Sequence, residues 1–136
     1  MRAKGFSLIE MMTVLVVVAL LAAISLPIYR NFVAKAQLSA ALAQIEPGRS
    51  MIESAFADAV DPSLVDVGYI GLPVSTERCA LINVSLAPDG RSTLSCRVIG
   101  GSSVDGRTLS LQRSVAGIWR CDASAFDARY KPSECD

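Results

Sequence analysis

Glu10 is a carboxylate at the edge of an apolar run, since Met11 to Tyr29 contain no charged residue. A charge buried at such an edge costs roughly 2.5–3.5 kcal/mol on insertion scales, so it needs a partner. No Lys or Arg lies in the two turns that follow it. Ahead of it stand Gly5 and the short basic stretch Met1-Arg2-Ala3-Lys4. That positive flank predicts a cytoplasmic start for this end and an outside position for the rest of the chain. Cysteines supply the second kind of chemistry. They fall at 79, 96, 121 and 135, and none forms a C-x-x-C pair, so zinc-ribbon and thioredoxin-like readings are weak. An even count in a small domain behind a membrane segment reads as two disulfides in an oxidising compartment. Three pairings are open, and the spacing does not choose among them.

Other chemistry is absent from the sequence. The 136 residues include no His, which removes histidine triads, general-base histidines and most transition-metal sites. Thirteen basic and thirteen acidic side chains give a formal net charge of zero, unlike a dedicated nucleic-acid binder. No G-x-x-x-x-G-K-[ST] cradle occurs, and Gly100-Gly101 and Gly106 suit a loop better than a phosphate site. No nucleophile has a base and no carboxylate pair stands out. The expectation is a protein that is not an enzyme and uses no cofactor or metal.

The order of the N-terminal features is informative. A secretory signal has its cleavage site after the apolar stretch. Here Gly5 precedes it, and no small-residue site follows. Met11 to Leu26 alone is short for a span of about 20 residues, and Phe6 to Ile9 supply the missing length. The segment Gly5-Phe6-Ser7-Leu8-Ile9-Glu10 resembles the type IV prepilin signature. That resemblance implies cleavage by a prepilin peptidase between Gly5 and Phe6, and N-methylation of Phe6. It also implies that Glu10 pairs with the Phe6 amine of a neighbouring subunit during assembly. Such a pair offsets the desolvation of two charges that would each be costly alone.

The elements that position these groups follow from hydrophobic periodicity. Pro27 interrupts the apolar helix and predicts a kink. Beyond it Ile28, Phe32, Leu38, Leu42, Ile45, Ile52 and Phe56 recur at near-helical spacing, predicting one buried stripe. At Pro47-Gly48 either a bent helix continues or one helix ends and another begins. Residues 58–76, with Asp61-Pro62, Gly68, Gly71 and Pro73, read as a loop with short structured pieces. Strands are expected over Cys79–Leu86, Thr93–Ile99, Thr108–Arg113 and Ile118–Cys121. Their turns fall at Ala87-Pro88-Asp89-Gly90 and Ser114-Val115-Ala116-Gly117, with a longer mobile loop over Gly100–Gly106. The fold class is α+β: a long N-terminal helix, partly transmembrane, packed on a four-stranded antiparallel sheet.

The end of the chain resembles the same family. Ile118-Trp119-Arg120-Cys121 followed by Tyr130-Lys131-Pro132-Ser133-Glu134-Cys135 is similar to type IVa pilins, where a disulfide closes a surface loop. The resemblance implies Cys121–Cys135, which leaves Cys79 for Cys96. The hairpin register does not set Cys79 opposite Cys96, so that bond requires a bulge or a strand end. Asp122, Phe126, Asp127, Arg129, Tyr130 and Lys131 lie in the closed loop, as an exposed contact surface or as a solvated cap. The resulting organisation is a leader over 1–5, a filament-core helix half over 6–28 and an amphipathic half over 29–57. A connecting loop over 58–77 and the sheet with its disulfide loop over 78–136 complete it.

The function implied is that of a structural subunit of a type IV pilus, a helical homo-oligomer used in adhesion and twitching motility, with DNA uptake a possible but not favoured further use. Its partners would be the prepilin peptidase and an inner-membrane assembly machinery. The precursor would sit in the inner membrane and the product on a Gram-negative-type surface. One alternative is a minor pilin capturing DNA through Arg78, Arg91, Arg97, Arg107, Arg113, Arg120, Arg129 and Lys131. Another is a type II secretion pseudopilin, against which the C-terminal cysteine loop argues.

Overall fold

An apolar run that crosses hydrocarbon must satisfy its own backbone, and a helix does so internally. Helix α1 (Leu8–Ile45) does this over 38 residues. The computed structural model describes residues 5–135, so Arg2 and Lys4 of the basic flank lie outside the described residues. Pro27 lies inside α1 without ending it. Pro47 does end it, because its missing N–H coincides with the last turn. Glu46 and Pro47 nevertheless keep right-handed helical dihedrals, and the Arg49 amide donates to the Glu46 carbonyl at 3.1 Å. Helix α2 (Gly48–Ala57) therefore restarts at once.

The sheet covers only part of this rod. Burial starts at Ala34 and continues through Leu38, Ala41, Leu42 and Ile45, then Ile52 and Ala55. Ile28 and Phe32, expected in the buried stripe, are 52% and 69% exposed. Their spacing is right, but no strand reaches that far along α1. Phe56 is 38% exposed, outside the fully buried core, and its ring lies beneath Arg113.

Strands β1 (Cys79–Leu86), β2 (Ser92–Val98), β3 (Thr108–Arg113) and β4 (Trp119–Asp122) form one antiparallel sheet in sequence order. Leu94 faces Leu111 and Cys96 faces Leu109 across β2 and β3. These residues point to the helix, and alternate positions such as Thr93, Ser95, Arg97, Thr108 and Gln112 point away. Gly90, at φ 86°, closes the β1–β2 turn in a conformation that a Cβ would strain.

Two disulfides fasten this layer. Cys79 bonds Cys96 with Cα atoms 5.2 Å apart, and Cys121 bonds Cys135 at 4.5 Å. The β1–β2 register puts Ile82 opposite Cys96, and a shift between Cys79 and Leu81 brings Cys79 opposite Val98. Cys79 and Cys96 thus stand diagonally on the inward face, fully buried against α1.

Two loops differ from their expected character. The Gly100–Gly106 segment, expected to be mobile, is pinned: Val104 is fully buried, and the Gly101 amide donates to Gln37 Oε1 on α1 at 2.9 Å. Phe126, expected in an exposed loop, is 4% exposed and belongs to the core. The cysteine bridge draws this segment back over α1, so Asp127 and Arg129 carry its exposed surface.

Candidate functional site

The N-terminal motif is an extended lead into a helix. Ser7 has β-region dihedrals, φ −76° and ψ 143°, and occupies the N-cap position. Its carbonyl accepts the Met11 amide at 3.2 Å, the first helical bond. A Cβ on Gly5 would meet nothing within 4 Å, and Phe6 is 74% exposed. The Gly5–Phe6 peptide therefore lies ahead of the helix and uncovered by the rest of the described residues.

Glu10 sits in the first turn of α1, where the helix dipole favours a negative charge. Its Oε2 accepts the Ser7 amide at 2.9 Å. This partner is missed by a search for cations, and the S-x-x-E spacing of Ser7 and Glu10 is its signal. The bond satisfies one lone pair and leaves the charge unneutralised. Around it, Leu8, Ile9, Val14 to Val18, Leu20, Leu21 and Ile24 are all exposed. The rest of the chain covers none of this apolar window, which is long enough to cross a membrane.

The globular end is held by Arg113. Its inward position on β3 follows Leu109 and Leu111 at alternate residues, so the pattern could have singled it out. Arg113 Nε and Nη2 donate to the two Glu53 oxygens at 2.8 and 3.0 Å. Nη1 donates to the carbonyls of Gly90 at 2.8 Å and Ser114 at 3.3 Å. The guanidinium also lies over the Phe56 ring, 4.8 Å from its centroid. Trp119 Nε1–H donates to Glu53 at 2.6 Å. The Arg113 hydrogen bonds, helped by Trp119 and nearby cations, hold the Glu53 carboxyl below the usual glutamate range.

The arginines proposed for DNA are partly engaged. Arg113 is buried, while Arg91 pairs with Asp89 at 2.7 Å and Arg129 with Asp127 at 3.0 Å. Arg78, Arg97, Arg107, Arg120 and Lys131 form no ion pair among the described residues. Arg97 on β2 and Arg78 and Arg107, just ahead of β1 and β3, lie at one end of the sheet, whereas Arg120 is on β4 and Lys131 in the terminal loop.

Comparison with known proteins agrees at both ends of the molecule. The pilin family, described as a bacterial filament, matches residues 34–136. The prokaryotic N-terminal methylation motif matches residues 1–26. The fimbrial protein EcpC of Eikenella corrodens is 33% identical, covering 97% of this chain and 90% of its own. The type IV major fimbrial protein FimA of Dichelobacter nodosus is 27% identical, covering 97% and 95%. The type IV major alpha-pilin of Moraxella bovis is 24% identical, covering 97% and 96%.

Proposed function

The chain belongs to the type IV pilin family, and from this we propose that it is the major subunit of a type IV pilus. A structural pilus subunit, not an enzyme, is what its relatives are. The observation that carries assembly into a filament is Glu10: a carboxylate on a bare apolar helix whose bond is to a neutral amide of its own chain. Burying that helix among other helices leaves a charge that a cation must neutralise. Cleavage between Gly5 and Phe6 creates such a cation, the Phe6 amine, and N-methylation retains its charge. In the filament Glu10 pairs with the Phe6 amine of a neighbouring copy and sets the register between helices.

The precursor is held in the inner membrane of a Gram-negative-type cell, with Arg2 and Lys4 on the cytoplasmic side. An inner-membrane assembly machinery with its own ATPases drives growth and retraction, and the pilus serves adhesion and twitching motility. DNA capture is not favoured, given a net charge of zero and the pairing of Arg91, Arg113 and Arg129 with carboxylates.

Two measurements test this reading. Intact-mass analysis of sheared filaments should show a chain lacking residues 1–5 and carrying one added methyl group. A chain with its leader retained, in a host that has the peptidase, excludes the processing step. Glu10→Val should be cleaved normally yet yield few filaments. Wild-type filament yield from that variant would refute the pairing.

A further inference from the structure

Taking α1 as the membrane anchor of the precursor, we propose that the basic end of the sheet seats the globular domain on anionic phospholipid headgroups before assembly. Both ends of the sheet are fixed against the rod. At one end the Gly101 amide bonds Gln37 of α1, and at the other Arg113 bonds Glu53 of α2. Gln37 lies seven residues beyond Arg30, the first charge after the apolar window, or about 10 Å along the helix. The Gln37 end of the sheet therefore faces the membrane.

Three arginines from different parts of the sheet meet there. The Ile99 amide donates to the Arg78 carbonyl and the Val98 amide to the Arg107 carbonyl, both at 2.8 Å, and Arg97 stands opposite Thr108. Arg97 and Arg107 are exposed and Arg78 is half-buried. Arg30 and Lys35, both exposed, add two cations from α1 on the membrane side of Gln37. None of these five forms an ion pair among the described residues. The acids at this end are Glu77, Asp105 and Asp127. Asp105 accepts the Gly100 amide at 3.1 Å, and Asp127 is paired with Arg129. Counting Arg129, six cations stand against three acids. The far end has no such excess, since Arg91 pairs with Asp89 and Arg113 with Glu53.

The distances suit a headgroup contact. Beyond the hydrocarbon, headgroups fill a layer of about 5–8 Å on each side. With Tyr29 at the hydrocarbon edge, that layer spans about four or five residues of α1, to the level of Ala34. Ala34 is where the domain begins to cover α1, so its rim abuts the headgroups. Tyr29 and Phe32, 68% and 69% exposed, fall within the layer, where aromatic rings are favoured. Guanidinium groups on the rim then donate to phosphate oxygens in the geometry that suits them best. A zwitterionic headgroup carries its own cation, so an anionic lipid is the partner that matches the excess charge.

The test reconstitutes the full chain in vesicles of phosphatidylcholine, alone or mixed with phosphatidylglycerol. The photoreactive residue p-benzoylphenylalanine stands in place of exposed Ser102, in the loop at the basic end, or of Val115, in the turn at the far end. Light should give phospholipid adducts of the Ser102 probe in the mixed vesicles and few in phosphatidylcholine alone. The Val115 probe should give none in either. Arg78→Gln, Arg97→Gln and Arg107→Gln together should lower the ratio of seated to lifted domain on the order of a hundredfold, and the adducts with it. Arg78→Lys, Arg97→Lys and Arg107→Lys together, which keep the charge, should retain them. If the glutamine variant does not fold, the comparison of the two vesicles decides. Equal Ser102 adducts in both vesicles, or none from an inserted chain, would overturn the assignment. Adducts to added duplex DNA in place of lipid would give the patch to nucleic acid and overturn it too. Release of the chain by alkaline carbonate would instead overturn the membrane-anchor reading on which it rests.

Discussion

Arg113 carries more of the globular end than any other polar residue. A buried guanidinium that lost its partners would be severely destabilising, and here every partner is in place. Arg113→Ala removes two bonds to Glu53, two to turn carbonyls and the contact with Phe56. It should cost about 2–4 kcal/mol, read from denaturant unfolding of the detergent-held chain. Glu53 then sets a pH dependence. Its carboxyl is held below the usual range mainly by Arg113, so the unfolded chain binds that proton more readily than the folded one. The stabilisation is complete above the ordinary glutamate range of about 4.3 and is lost as pH falls through the lowered value. Glu53→Gln should make the melting temperature less sensitive to acid. Asp61, Asp89, Asp122 and Asp127, each held low by local hydrogen bonds, keep part of that sensitivity. An unchanged acid limb in Glu53→Gln would remove Glu53 from the account.

At the scale of elements, the turns are fitted to the helix below them. A Cβ on Gly90 would come 2.8 Å from Phe56 and 2.9 Å from Arg113, and the residue has φ 86°. Gly106 has a similar φ of 72° with nothing within 4 Å. Gly106→Ala therefore meets backbone strain alone, about 1–2 kcal/mol. Gly90→Ala adds a clash with Phe56 and Arg113 and should cost about 1–2 kcal/mol more. Equal losses in thermal melts would show that the β1–β2 turn is not held against α2. The division of the helix at Pro47 belongs here too. Gly48 follows it because a Cβ there would lie 2.7 Å from buried Leu94, so α2 can approach β2 only through a glycine.

In the whole molecule, the two disulfides act on different parts of the chain. Each closes a loop of similar length, 17 and 14 residues in separation, and should stabilise by about 3 kcal/mol. Cys79–Cys96 lies fully buried between sheet and α1, whereas Cys121–Cys135 joins the edge strand to the chain end. Reduction under native conditions should therefore label Cys121 and Cys135 first, with Cys79 and Cys96 following only on global unfolding. Thiol labelling with peptide mapping reads the order, and simultaneous labelling would make the fold one cooperative unit. Cys121→Ser with Cys135→Ser should also free the segment around Ala123 and Phe126, making residues 123–134 the first proteolytic target.

What the sequence by itself determined was whatever depends on local order along the chain. The uncharged run after Glu10, the glycine ahead of it and the S-x-x-E spacing specify a helix start and a membrane-length segment without tertiary help. The strands were legible within a residue of their ends because alternation and turn residues are local signals. The tertiary structure decided where that periodicity becomes burial. Ile28, Phe32 and Phe126 show the same apolar chemistry, yet the first two lie beyond the reach of the sheet and the third is drawn under a bridge. It also decided which arginines are free, since the Arg113 partners come from α2 and two separate turns.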